Sequence, residues 1–280
     1  MAADRCKLAA MNRLVAFLLV LFLMAPGGAA LSPARADGNV SNRSLLDAFA
    51  KVALGSEYEK RVPKILKWVK PINAAIIGTG YPPVFEKLVV AQFADLVHET
   101  GHPIRLVYSE TMRREKRLPP DVSRIPVDFL IFYAPKAELP ALVEKRTNGA
   151  FKAADTAKMV RLGYCHSRLK ITSSGELTFA YVAVPSEITT RVDYGKKKVD
   201  PKVFLRACVV EELTQSLGLI NDVPGLSYSV FSDDSPQVDL TVPDRWMLRM
   251  LYDPRVKPGM GPREVLPLMA RFLEEFRPDH

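Results

Sequence analysis

The sequence predicts an α+β fold built as one domain. Three observations carry this. Short apolar runs of strand character alternate with amphipathic helical patterns between residues 60 and 185. Three helical patterns then fill the last third of the chain. After residue 60 there is no linker-like stretch at which the chain would divide, and its length suits one full hydrophobic core.

Residues 37–56 open with D-G-N-V-S-N-R-S and read as a flexible lead-in that holds a short helix from Ser44 to Leu54. Lys60 to Lys70 carries Val62, Ile65, Leu66 and Val69 at helical spacing and stops at Pro71. Ile72 to Gly78 is a short strand, closed by Gly78-Thr79-Gly80 and Pro82-Pro83. Val84 to His98 repeats apolar residues with the helical period. Ile104 to Tyr108 and Val127 to Tyr133 are strands on either side of a charged loop, R-R-E-K-R-L-P-P-D. Lys136 to Arg146 is a short helix limited by Pro140. Leu169 to Ile171 and Leu177 to Val184 form a hairpin across Ser173-Ser174-Gly175-Glu176. Asp200-Pro201 places an N-cap before a first-turn proline and starts a long helix that runs to about Leu217. Pro243 to Tyr252 and Pro262 to Phe276 are two further amphipathic helices, with Trp246, Met247, Met250 and Leu251 as core positions.

The first 36 residues read as a signal peptide. Arg5, Lys7 and Arg13 form a basic start, and Leu14 to Met24 is an unbroken apolar run of eleven residues. Ala34-Arg35-Ala36 offers a small-x-small site, so cleavage is expected between Ala36 and Asp37. Eleven apolar residues fall short of the roughly 17–25 that span a bilayer, so no membrane span is expected after cleavage. The expected location is periplasmic or secreted. Losing the leader removes four of 39 basic and one of 31 acidic residues and leaves a mild net charge of +5. Cys165 and Cys208 remain, and in an oxidising compartment one disulfide is the default.

Residues 208–222, C-V-V-E-E-L-T-Q-S-L-G-L-I-N-D, carry the main chemical signal. They keep the frame of H-E-x-x-H-x-x-G-x-x-H/D, in which two histidines on one helical face bind zinc and the glutamate is the general base. In this frame the ligand positions hold Glu211, Gln215 and Asn221, with Asp222 next, Glu212 at the base position and Gly218 at the helix end. Phe204, Cys208, Glu211 and Gln215 share one helical stripe, with Val203, Ala207, Val210 and Leu217 as the adjoining apolar surface. A carboxylate on such a helix needs partners or must take up a proton.

This segment is followed by S-V-F-S-D-D and by L-T-V-P-D-R-W-M-L-R-M-L-Y-D-P-R-V-K-P-G-M. Together they resemble the signature of an exported bacterial family known as domain of unknown function 2927, over residues 160–262. Cys165, in G-Y-C-H, and Cys208 match that family's paired cysteines. More distantly, the layout is similar to the metzincin clan of zinc peptidases. That similarity implies a zincin-like single domain over residues 57–280: a mixed, twisted sheet with a backing helix, an active-site-type helix, a Met-turn and C-terminal helices. Phe231, in Val230-Phe231-Ser232, would take the Met position. Among the zinc-ligand and general-base positions, only Glu212 keeps the clan's residue. One carboxylate and two amides make a poor zinc set, so no zinc is expected, while calcium or magnesium stays open.

Three functions fit these residues. The first is a non-zinc, pseudoenzyme-like envelope protein that binds a peptide or cell-envelope component. The second is a hydrolase in which Glu212 activates water and Glu211 serves as second acid or metal ligand. The third is a purely structural periplasmic module. His98-Glu99-Thr100-Gly101-His102 satisfies H-E-x-x-H by letter, but Gly101 and Pro103 end the helix before the second histidine. The basic runs Arg113 to Arg117 and Lys196 to Lys198 read as solvated loops, so nucleic acid is not an expected partner. Asp233, Asp234 and Asp239 read as a turn, lacking the glycine and final glutamate of a calcium loop.

Overall fold

A computed structural model describes residues 40–55, 63–78, 80–116, 118, 124–162, 165–189, 192–194, 197–232, 235 and 237–278. Its centre is a five-stranded, mostly parallel sheet in a mixed α+β arrangement. The strands are β1 (Ile72–Ile77), β2 (Ile104–Tyr108), β3 (Phe129–Ala134), β4 (His166–Ile171) and β5 (Leu177–Pro185), in the order β2-β1-β3-β5-β4. The first three and β5 run parallel, and β4 runs antiparallel to β5. Parallel neighbours need long crossovers, and helices supply them. After α1 (Asn42–Leu54), α2 (Pro83–Thr100) joins β1 to β2, and α3 (Glu110–Lys116) follows β2. Next, α4 (Leu139–Arg146) and α5 (Ala153–Leu162) lie between β3 and β4. Within this sheet the β4–β5 pair is a hairpin, closed by Thr172 N–H donating to Glu176 O at 2.9 Å.

Both faces of the sheet are covered, so β3 reads F-L-I-F-Y-A without a polar residue and is buried throughout. The strand period of two sends Ala74, Ile76, Phe129, Ile131 and Val182 into the larger core. There they meet α2, α6 (Pro201–Gln215), α7 (Val242–Tyr252) and α8 (Pro262–Phe276). Ala75, Ile77, Leu130, Phe132 and Tyr181 face the other way, onto Leu139 and Val143 of α4 and Val160 of α5. Helix starts follow the local sequence. Asp200 accepts the Lys202 N–H at 2.7 Å to begin α6. Thr241 and Asp244 form a reciprocal capping box on α7.

Several elements differ from the sequence reading. The short helix expected from Ser44 to Leu54 forms as α1, but it is no flexible lead-in: it buries Leu45, Phe49 and Val52 against the common core. The stretch from 63 to 70 is extended, where a helix over Lys60 to Lys70 is expected from its spacing. Prolines at both ends leave little room for helix, and its backbone is taken by other segments. Ile65 N–H donates to Met260 O, Lys67 N–H to Gly175 O, and Lys67 O accepts from Leu177. Lys67 then places its Nζ on the Asp253 and Val256 carbonyls, 3.1 and 3.0 Å away, where burial pushes its pKa down to about 8. The charged stretch after β2 begins as helix α3, where Arg113 pairs with Glu110 one turn back. Of the apolar surface expected along α6, Val203 is 44% exposed while Val210 and Leu217 are buried, and Leu205, Val209 and Leu213 extend the buried stripe. The expected cleavage site at Ala36 and Asp37, Lys196, Asp233 and Asp234 lie outside the described residues.

Candidate functional site

The end of α6 is where the motif residues meet the rest of the fold. The helix stops at Gln215, and the carbonyls just beyond its end find side-chain donors. Trp68 Nε1 donates to Ser216 O at 2.8 Å, and the Tyr252 hydroxyl to Leu217 O at 3.0 Å. Gly218 follows with φ +117°, and a Cβ there would sit 2.1 Å from Leu66 O. Both the backbone angle and the close approach of the 63–70 segment therefore require glycine. Glycine's place in the motif frame has a direct structural cause.

The five motif side chains do not form one cluster. Glu212 and Gln215 are buried, while Glu211 is half-buried. Gln215 Nε2 donates to Asp222 Oδ1 at 2.7 Å, which brings two of the predicted positions together. Asn221 points elsewhere: its Nδ2 donates to Lys51 O at 3.0 Å, and its backbone N–H to Val52 O at 3.2 Å. It thereby satisfies carbonyls at the C-terminal end of α1, which no sequence pattern announced. The chain places Glu212 one turn before Ser216, whose N–H and hydroxyl both donate to the Glu212 carbonyl. Thr214, on the opposite side, receives Gln92 of α2 at 3.0 Å. Among the described residues, no three His, Cys, Asp or Glu side chains converge as a metal site requires.

Phe231, at the position compared with the Met-turn, is fully buried. The turn around it is held by Asp244 of α7, which accepts from Ser229 Oγ at 2.6 Å and from Val230 N–H at 3.2 Å. Burial raises the Asp244 pKa even though these bonds oppose the shift.

His98 and His102 are separated by the helix end, since Gly101 takes the left-handed conformation (φ +65°) right after α2. His102 Nε2 lies 2.9 Å from Lys70 O. Glu99 is the functional member of this stretch in a structural sense. It is buried and bridges Arg245 and Arg249 of α7, at 2.7 and 2.8 Å.

A disulfide joins Cys165, just before β4, to Cys208 on α6, with Cα atoms 6.0 Å apart. Beside it lies a polar group that the sequence did not single out. His166 Nε2 and Thr156 Oγ1 each lie 3.2 Å from the Tyr181 hydroxyl. His166 Nδ1 is buried with no hydrogen-bond partner among the described residues. Burial, then the charge of Arg168, pushes the His166 pKa down to about 4.

A cavity of about 600 Å³ opens elsewhere, at the carboxyl ends of β1, β2 and β3. Its wall includes Ile77, Gly78, Tyr108 and Tyr133. None of Glu211, Glu212, Gln215, Asn221 or Asp222 lines it. The Gly78–Gly80 punctuation after the first strand was the available signal. A Cβ on Gly78 would meet Tyr133 O at 2.2 Å, so glycine lets β1 and β3 leave the sheet side by side.

No curated protein matches this sequence. A family model matches residues 42–271, from the first residue of α1 into α8, well beyond the 160–262 segment that carries the sequence resemblance. With so much of its length matched, the chain belongs to the family described as protein of unknown function, DUF2927.

Proposed function

We propose that this protein is an exported, non-zinc, pseudoenzyme-like envelope protein, in which the peptidase-like motif on α6 serves the fold and the task is binding. The observation that carries the reading is the commitment of the ligand-position side chains to internal partners. Gln215 holds Asp222, and Asn221 caps α1. A zinc ion at those positions would have to draw on two amides already engaged in hydrogen bonds, which zinc sites do not favour. The element order supports the peptidase-like layout: α2 behind the sheet, α6, a buried Phe231 turn, then α7. The basic and apolar leader supports export, and N-terminal sequencing of the processed protein should begin at Asp37.

The hydrolase reading differs on one residue. If Glu212 activates water, Glu212→Gln abolishes peptide hydrolysis while the fold stands. In the present reading, the wild-type protein and Glu212→Gln are equally inactive against a peptide library. Activity in the wild type that vanishes in Glu212→Gln replaces the pseudoenzyme with an enzyme.

A further inference from the structure

We propose that the cavity at the carboxyl end of the sheet binds a short peptide of two or three residues by its free termini. The site goes beyond the role given to α6, because no motif residue lines it. If α6 proved catalytic, the cavity would still stand or fall on its own test.

The location comes from topology. From β1 the chain crosses through α2 to β2 on one side, while β3 lies on the other side of β1. Helix α2 packs into the larger core and α4 into the smaller one, so they cover opposite faces. Crossovers that diverge in this way leave a crevice outside the carboxyl ends of the adjacent strands, where open parallel sheets bind ligands. A volume of about 600 Å³ suits a small ligand.

The chemistry comes from the wall. The wall presents more polar than apolar surface, with Ile76, Leu142 and Tyr133 as its apolar and aromatic members. Its charges are the Arg146 guanidinium and the Glu110 and Glu138 carboxylates. Glu110 is engaged by Arg113 through two hydrogen bonds, at 3.0 and 2.5 Å. Glu138 is exposed, at the N-cap of α4, and makes no capping bond to that helix. Arg146 is the last residue of the same helix. Eight residues at a rise of about 1.5 Å set the two backbones roughly 12 Å apart. One wall of the cavity is thus a rigid rod with a carboxylate near one end and a guanidinium at the other.

A ligand that answers this rod carries an amine and a carboxylate with an uncharged body between them. Extended peptide advances about 3.3–3.6 Å per residue, so two or three residues hold their termini about 7–11 Å apart. The charges of a free amino acid lie too close together to meet both ends. Guanidinium offers the planar fork that carboxylates prefer, and a carboxylate suits the ammonium terminus.

Isothermal titration calorimetry with tri-alanine tests this on the full processed chain. Unblocked tri-alanine should bind, and N-acetylation or C-amidation should each weaken it by about tenfold or more. Arg146→Gln should remove the penalty for C-amidation alone, and Glu138→Gln the penalty for acetylation alone. Circular dichroism checks that each variant is folded, and the exposed Glu138 keeps the test open if Arg146→Gln fails to fold. No heat with tri-alanine, or equal binding of blocked and unblocked peptides, overturns the proposal. So does free alanine binding as tightly as tri-alanine.

Discussion

Replacing Asp222 by alanine removes the acceptor from a buried amide and leaves the rest of α6 in place. Gln215 is 7% exposed, and its Nε2 donates to Asp222 Oδ1 at 2.7 Å. Truncation strands that N–H in a place water barely reaches. Orphaning a buried polar group costs about 1–3 kcal/mol, and the charged acceptor favours the upper part of that range. For a domain of this size the loss corresponds to a fall in Tm of roughly 2–12 °C. Urea unfolding followed by far-UV circular dichroism reads it directly, with Asp222→Asn as the shape-preserving control. The double variant with Gln215→Ala should recover part of the loss, because no amide is then left stranded. If Asp222→Ala changes stability by less than about 0.5 kcal/mol, or the two substitutions are simply additive, the pair is not a structural bond.

Further expectations follow from single contacts. Gly218→Ala adds a Cβ 2.1 Å from Leu66 O at φ +117°, and thermal unfolding should show a loss of about 3 kcal/mol or more. Reducing Cys165–Cys208 reopens a loop spanning 43 positions, which on chain-entropy grounds costs about 4 kcal/mol in denaturant unfolding. Free thiols at both positions in non-reducing peptide mapping contradict the pairing. The His166 pKa lies below its unfolded value, so the folded state resists protonation. Its stabilising effect is whole above pH 6.5 and falls away as pH drops toward 4, by roughly 3 kcal/mol. His166→Gln should flatten that part of the stability–pH curve, and an unchanged slope refutes the assignment.

The strands were legible because their chemistry is local. The continuous apolar run of β3 and the glycine after β1 mark buried parallel strands. Asp200-Pro201 marks the start of α6 for the same reason, since a cap is written in adjacent residues. What misled was settled by distant partners. Ile65, Leu66 and Val69 carry helical spacing, yet backbone pairing with residues 175, 177 and 260 draws the segment out. Charge hid α3, where Glu110 and Arg113 support one another as neighbours on a helix. At the motif, the sequence located α6 and its terminal glycine but implied one convergent set of ligand positions. Asn221 leaves that set because α1, some 170 positions away in the chain, presents a carbonyl to it. The cavity was invisible for a related reason: it is assembled from three strand ends and α4, and only their packing defines it.

The central claim is that the α6 motif holds the fold together in place of a transition metal. Elemental analysis of protein purified without chelators, and dialysed against zinc-free buffer after incubation with excess zinc, measures this most directly. The account predicts zinc well below one ion per chain, with no gain in Tm on adding it. One zinc per chain, lost on Gln215→Ala or Glu211→Ala, would contradict it.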